Sequence, residues 1–183
     1  MIILENNCAF LHIPKTGGTF VTNVLGNPPW EGRHKHKILS DASLTAFCFV
    51  RHPLDWYESY WRWLAGYEGR GGDFTSRPGH PLCPLSNVWD PDFNKTIAAC
   101  IEQSPGFLTT MFQSYTRDCK HIGRQESLRA DLIGILEKCG LKATKDVETT
   151  DRQNISLKKQ VVWDGDLKDE ILKLEHHIIT EYY

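Results

Sequence analysis

Two apolar runs, each followed by a charged turn and a helical pattern, constrain the fold of this chain most strongly. Residues 8–13 (CAFLHI) lead into a turn with two adjacent glycines, and residues 45–50 (TAFCFV) lead into Arg51, His52 and Pro53. Short continuous apolar runs of this kind are typical of strands buried in a parallel sheet. A strand, a loop and a helix, repeated twice, predict an α/β domain with a central parallel sheet flanked by helices.

Length and charge narrow the class of protein. The chain has 183 residues with 40% hydrophobic and 24% charged side chains, which predicts one soluble domain over residues 1–183. The net charge of −2 excludes a global basic field, so we expect no nucleic-acid partner. No run approaches the ~20 apolar residues of a membrane span, and the first residues lack the basic start of a signal peptide. We therefore expect no membrane span and a cytoplasmic location.

The six cysteines show no metal-binding pattern. No C-x-x-C pair occurs, and no histidine stands at zinc-ligand spacing from a cysteine. We interpret them as reduced thiols, with Cys8 and Cys48 buried in strands, and expect no metal site.

Turn residues and helical spacing mark the remaining elements. Residues 66–91 hold five of the 14 glycines and four of the nine prolines, which predicts a long surface loop near the site of a second substrate. Helical patterns follow over about 91–103 and 107–115. A further helix is expected to stop at Gly140, and the last to cover about 167–182.

Residues 14–19 (PKTGGT) have the composition of an anion-binding loop. Two glycines between a strand and a helix allow a tight turn that brings several N–H groups close to a ligand. Lys15 adds a full positive charge, while Thr16 and Thr19 add hydroxyl groups. The alternative is an ordinary strand–helix turn with an exposed lysine.

The same loop differs from the phosphate loop of nucleoside-triphosphate enzymes. That motif, G-x-x-x-x-G-K-[ST], places its lysine after the last glycine, whereas Lys15 precedes Gly17 and Gly18. A Walker B strand would end in aspartate, whereas the second strand here is followed by Arg51. An arginine repels Mg²⁺ and attracts an anion. The pattern therefore predicts a site for two phosphate-like groups and no metal.

These residues resemble a known family, the sulfotransferases that use 3′-phosphoadenosine 5′-phosphosulfate (PAPS). Residues 12–19 (HIPKTGGT) resemble their 5′-phosphosulfate loop, and residues 49–60 (FVRHPLDWYESY) resemble their 3′-phosphate motif. Within this family, the two motifs are most similar to those of the carbohydrate branch, of the heparan sulfate and chondroitin type. Residues 123–128 (GRQESL) with Asp131 are similar to a downstream segment of that branch. The resemblance implies a P-loop-like three-layer α/β fold.

The resemblance also implies roles for individual residues. The 5′-phosphosulfate would bind to Lys15, Thr16, Gly17, Gly18 and Thr19, with Lys15 at the bridging oxygen. The 3′-phosphate would bind to Arg51 and Ser59. The alternatives are a salt bridge from Arg51 to Asp55 and a solvated helix serine at Ser59, on the stripe formed by Asp55, Ser59 and Arg62.

A base is needed to take the acceptor's proton, and histidine is the most frequent choice. Residues 33–37 (RHKHK) lie between the two phosphate motifs, and a His-x-His stands at a similar place in the uronic acid 2-O-sulfating branch. We expect His36 to be the base, with His34 second. The alternatives are a solvated basic loop, a patch for an anionic acceptor, or a glutamate base at Glu31, Glu58 or Glu68. His12 is expected to be structural, and His176 and His177 to lie on the surface.

The resemblance thus implies an enzyme that moves a sulfuryl group from PAPS to an acceptor hydroxyl on a carbohydrate. Two other functions stay open on the residues alone. One is a P-loop-type nucleotide kinase or hydrolase, which would require Mg²⁺. The other is a non-catalytic binder of phosphorylated or sulfated ligands that keeps the loop and lacks the base.

Overall fold

The structure is a computed structural model, and it describes residues 1–26, 43–66, 78–142, 147, 149–150 and 160–183. Contacts group the chain into two compact units. We call Met1–Arg51 with Phe112–Asn154 the first unit, and His52–Met111 with Ile155–Tyr183 the second unit.

The first unit contains a four-stranded sheet in the order β1–β2–β3–β4. Its strands are Ile2–Ile3 (β1), Cys8–Phe10 (β2), Thr45–Val50 (β3) and Cys119–Arg124 (β4). The neighbours β2 and β3 are parallel, as are β3 and β4, whereas β1 is antiparallel to β2. The predicted α/β class with a mainly parallel sheet is therefore confirmed, and the antiparallel edge strand is an addition.

A tight turn produces that edge strand. Asn6 and Asn7 have φ angles of 55° and 54°, and the N–H of Cys8 donates to the carbonyl of Glu5 at 3.1 Å. Two successive left-handed residues are typical of a type I′ hairpin turn, a conformation that asparagine tolerates well. The Asn-Asn pair in the sequence thus indicates the hairpin turn that pairs β1 with β2.

Aromatic side chains form much of the core of the first unit. The rings of Phe10 and Phe47 lie 5.3 Å apart, and those of Phe47 and Phe49 lie 6.2 Å apart. All three are fully buried. Helices α1 (Gly18–Val24) and α5 (Leu128–Lys138) add aliphatic residues to the same core. Helix α5 stops where the sequence predicts, because Gly140 takes a φ of 70° and donates to the carbonyl of Glu137 at 2.9 Å.

Helices dominate the second unit. They are α2 (Pro53–Ala65), α3 (Phe93–Gln103), α6 (Gly165–Leu174) and α7 (His176–Tyr182), and α4 (Phe107–Thr116) begins in this unit. Helix α2 buries four large aromatic side chains, which are Trp56, Tyr57, Tyr60 and Trp61. The predicted helices over 91–103 and 107–115 are confirmed to within two residues.

Residues 78–91 are an irregular segment of the predicted loop over 66–91, and this segment is partly buried. They include a short 3₁₀ helix, Cys83–Leu85, and they bury Leu82, Leu85 and Val88. The hydroxyl of Tyr60 donates to the carbonyl of Leu85 at 2.9 Å, so a side chain satisfies a buried backbone group. The apolar residues that stand between the glycines and prolines therefore anchor residues 78–91 in the protein interior. Residues 67–77, and with them Glu68, lie outside the described residues.

The predicted last helix over 167–182 is helical, but it is divided into two helices, α6 and α7. Glu175 separates them with φ −102° and ψ 18°. Its carboxylate is fully buried and accepts hydrogen bonds from the N–H groups of Leu108 and Thr109, at 3.1 and 2.8 Å. The backbone at this residue thus accommodates a carboxylate directed at the first turn of α4.

Candidate anion-binding site at the carboxyl edge of the sheet

Two of the predicted motifs meet in the first unit. Strands β2 and β3 are parallel neighbours, with Phe10 opposite Phe47, so their carboxyl ends reach the same edge of the sheet. This edge is where α/β sheets bind ligands. The Nη1 atom of Arg51 donates to the carbonyl oxygen of Lys15 at 3.2 Å. The structure therefore brings the lysine of the first motif and the arginine of the second together.

The backbone of the loop is unusual at Lys15. This residue has a φ of 66°, and Gly17 has a φ of 85°. A left-handed conformation costs a non-glycine residue about 1–2 kcal/mol, and such strain concentrates at ligand-binding sites. The hydrogen bond from Arg51 to the Lys15 carbonyl helps to hold this conformation.

Close packing explains both glycines. A Cβ atom at Gly17 would lie 2.6 Å from Cδ2 of Leu128, and one at Gly18 would collide with the ring of His12. The His12 ring is 5% exposed and stacks on Phe10 with 5.8 Å between ring centroids. The structural role expected for His12 agrees with this packing.

Hydrogen bonds within the loop support its turn. The N–H groups of Phe20 and Val21 donate to the carbonyl of Gly17, at 3.0 and 3.4 Å. The hydroxyl of Thr16 donates to the carbonyl of Ile13 at 3.0 Å, so its proton supports the loop. Helix α1 has only seven residues, and its dipole is correspondingly weak. The positive charge of this edge is therefore carried by the side chains of Lys15 and Arg51.

A third strand, β4, places further residues at this edge of the sheet, and the sequence alone assigned no role to them. Strand β4 pairs with β3 so that Arg124 lies opposite Val50, and Gln125 follows directly. The Cγ atom of Gln125 lies 3.6 Å from a Cβ built on Gly17. Asp131 fixes this turn, because its Oδ2 accepts from the Arg124 N–H at 2.7 Å and from the Ser127 hydroxyl at 2.8 Å. In the sequence, only the resemblance of residues 123–128 to the family indicated this segment. The pairing of β4 with β3 places the segment at the same edge of the sheet as Arg51.

Other residues singled out in the sequence lie in the second unit. Ser59 is part of the second unit, where it is 6% exposed on α2, while Asp55 on the same helix is exposed. The stripe that contains them is therefore not uniformly solvated. Arg62 forms a salt bridge with Glu58 at 2.8 Å.

Of the candidate bases, Glu58 is among the described residues, whereas His34, His36, Glu31 and Glu68 are not. The carboxylate of Glu58 accepts from Arg62 and, at 3.0 Å, from the indole N–H of Trp163, so structural contacts occupy it. His176 and His177 are exposed on α7, which confirms their expected surface position.

No group of three or more His, Cys, Asp or Glu side chains among the described residues is placed to hold a metal ion. Across the same residues, no helix is both long enough and apolar enough to cross a membrane. Comparison of the chain with protein-family models, curated proteins and solved structures finds no match. The functional assignment therefore depends on the chemistry of this edge.

Proposed function

We propose that the chain is a PAPS-dependent sulfotransferase that acts on an acceptor hydroxyl, with a carbohydrate as the acceptor. The observation that carries the proposal is the contact between Arg51 and the left-handed Lys15, at one edge of a parallel sheet. It joins the two motifs on which the resemblance depends. The finer fold that goes with this proposal is a P-loop-like three-layer arrangement.

The donor set fits the charges of the proposed co-substrate. A sulfated phosphate is held well by backbone N–H groups and a lysine, and a terminal phosphate is held well by an arginine. We assign the 5′-phosphosulfate to residues 15–19, with Lys15 at the bridging oxygen. We assign the 3′-phosphate to Arg51. Ser59 enters the proposal through the resemblance alone.

Tight packing at the glycines supports the same assignment. A side chain at position 18 would collide with the ring of His12, and one at position 17 would require the side chain of Leu128 to move. Glycines at these positions therefore let the backbone of the loop pack closely against both side chains. Thr16 supports this arrangement from within the loop, since its hydroxyl donates to the carbonyl of Ile13 at 3.0 Å.

The proposed reaction is an in-line displacement. The acceptor oxygen forms a bond to sulfur while the bond from sulfur to the 5′-phosphate oxygen breaks, and 3′-phosphoadenosine 5′-phosphate leaves. Lys15 stabilises the negative charge that develops on the bridging oxygen. The acceptor's proton passes to a histidine, His36 first and His34 second.

Calorimetric titration with 3′-phosphoadenosine 5′-phosphate and with adenosine diphosphate, each with and without Mg²⁺, tests the proposal. We expect the first ligand to bind more tightly and without Mg²⁺. Lys15→Ala and Arg51→Ala should each weaken its binding about tenfold or more, because each removes a charged hydrogen-bond donor. Lys173→Ala and Arg117→Ala, at exposed positions, are the matched controls.

Three results would overturn parts of the proposal. Magnesium-dependent binding of adenosine diphosphate in preference to the first ligand would indicate a nucleotide kinase or hydrolase. Binding of the first ligand without sulfuryl transfer to any acceptor would indicate a non-catalytic binder. Full transfer activity in both His34→Ala and His36→Ala would contradict only the assignment of the base.

A further inference from the structure

Two cysteines far apart in the sequence meet in the first unit. Cys8 lies in β2, and Cys139 directly follows α5. Their Sγ atoms are 2.7 Å apart, compared with about 2.05 Å in a disulfide bond. A shift of well under 1 Å would therefore bring the two sulfur atoms to bonding distance.

Neighbouring contacts hold this pair in place. The side-chain amide of Asn6 donates to the carbonyl oxygens of Cys139 and Gly140, at 3.3 and 3.1 Å. The N–H of Leu141 donates to the carbonyl of Leu136 at 2.9 Å, which fixes the end of α5. These contacts position Cys139 beside Cys8.

The two thiols differ in their access to a reagent. Cys8 is fully buried, whereas Cys139 is half-buried. Burial, together with the hydrogen bond to Cys139, raises the pKa of Cys8 to about 12. Cys139 is therefore the thiol that meets an oxidant from solution, and Cys8 is the thiol that reacts second.

We propose that Cys8 and Cys139 form an intramolecular disulfide when the folded protein meets a small disulfide such as oxidised glutathione. The Cys139 thiolate attacks the glutathione disulfide, forms a mixed disulfide and releases one glutathione. Cys8 then loses its proton and attacks the Cys139 sulfur, which releases the second glutathione. Two protein thiols lose two electrons and two protons, and one glutathione disulfide becomes two thiols.

The bond would connect two elements that hold the anion-binding loop. Strand β2 leads into residues 14–19, and Leu128, the first residue of α5, packs against Gly17. The loop that the bond closes is long, since 131 positions separate the two residues. Closure of a long loop stabilises a fold mainly by restricting its unfolded state.

Peptide mapping of the full chain tests this proposal. The folded protein is equilibrated in a glutathione redox buffer, its remaining thiols are alkylated, and the digest is examined by mass spectrometry. We expect a linked peptide pair containing Cys8 and Cys139, and a rise in Tm of roughly 5–10 °C that dithiothreitol reverses. Cys139→Ser should abolish both effects.

Cys119→Ser is the matched control. Cys119 is also half-buried, and it contributes a hydrogen bond that helps to raise the pKa of the buried Cys48. Its own Sγ donates to the carbonyl of Tyr115 at 3.2 Å. This variant should keep the linked pair and the rise in Tm.

Alkylation of both Cys8 and Cys139 after oxidation would overturn the proposal. A glutathione adduct on Cys139 that persists in the folded protein, or a link between other cysteines in place of this one, would do the same. The map of the unmodified chain decides the matter by itself if Cys139→Ser fails to fold.

Discussion

At the scale of single residues, Lys15 combines a strained backbone with a charge. Its left-handed φ of 66° would suit glycine better, because a side chain crowds the backbone in this region. A lysine is kept there at a cost to stability. The proposed role of its ammonium group at the bridging oxygen gives a reason for that cost.

Lys15→Gly therefore should separate stability from binding. Glycine relieves the strain, so we expect the free energy of unfolding to stay unchanged or to rise by up to about 1 kcal/mol. The affinity for 3′-phosphoadenosine 5′-phosphate should fall about tenfold or more. Urea denaturation and calorimetry measure the two quantities. Wild-type affinity in Lys15→Gly would show that the ammonium group does not bind the ligand.

Gly18 should tolerate no side chain. In Gly18→Ala the new methyl group meets the buried ring of His12, and we expect a loss of about 1–3 kcal/mol in the free energy of unfolding. Gly134→Ala is the matched control, because open space surrounds Gly134 within α5. That change should stabilise the protein by about 0.5–1 kcal/mol. Equal stability of the two variants in urea denaturation would contradict the packing described for His12.

At the scale of elements, a buried carboxylate organises the second unit. Glu175, between α6 and α7, accepts hydrogen bonds from two N–H groups at the start of α4 and from two hydroxyls. The hydroxyl donors are those of Tyr57, at 2.8 Å, and Thr109, at 2.7 Å. A negative charge at the N-terminus of a helix is favourable, since it compensates the helix dipole. One residue therefore connects the junction of α6 and α7 to both α2 and α4 by polar contacts.

Removal of this carboxylate should be costly. Glu175→Ala leaves several buried donors without an acceptor, and we expect a loss of about 3–5 kcal/mol in the free energy of unfolding. Glu175→Gln retains one acceptor oxygen and should lose less. Glu170→Ala, on the exposed side of α6, should change stability by no more than about 0.5 kcal/mol. Thermal unfolding measures the series, and a Glu175→Ala variant as stable as Glu170→Ala would contradict this role.

At the scale of the whole molecule, the net charge does not reveal where positive charge is concentrated. The chain carries a net charge of −2, yet the ends of three neighbouring strands in the first unit carry Lys15, Arg51 and Arg124.

Several acids of the molecule are buried in their neutral forms. Burial raises the pKa of Cys100 to about 12, and burial together with the charge of Glu175 raises the pKa of Tyr57 well above its usual value.

These buried acids predict a loss of stability in alkali. Above about pH 9 the unfolded chain releases thiol protons that the folded protein keeps. The folded state then binds more protons than the unfolded state, so the free energy of unfolding falls as pH rises. For Cys100 the slope approaches about 1.4 kcal/mol per pH unit. Urea denaturation between pH 8 and 10.5 measures it, and Cys100→Ala should flatten the curve. Constant stability over this range would contradict the prediction.

Local patterns were sufficient to predict much of the fold. The run over residues 45–50 became β3 without a shift, and Gly140 ended α5 as expected. The parallel arrangement of the first two apolar runs followed from their composition, and it placed Lys15 and Arg51 at one edge. Their roles in binding PAPS, the base at His36 or His34 and the place of Ser59 stay predictions.

What the sequence determined by itself is local: where strands and helices form, and which two motifs end neighbouring strands. Only the tertiary structure decided the left-handed Lys15, the neighbouring position of Gln125, the break at Glu175 and the meeting of Cys8 with Cys139. The physical reason is the distance along the chain. Periodicity and turn residues report which face of an element is buried, whereas these contacts join residues that are separated by 36 to 131 positions. Such pairs become neighbours only when the elements pack.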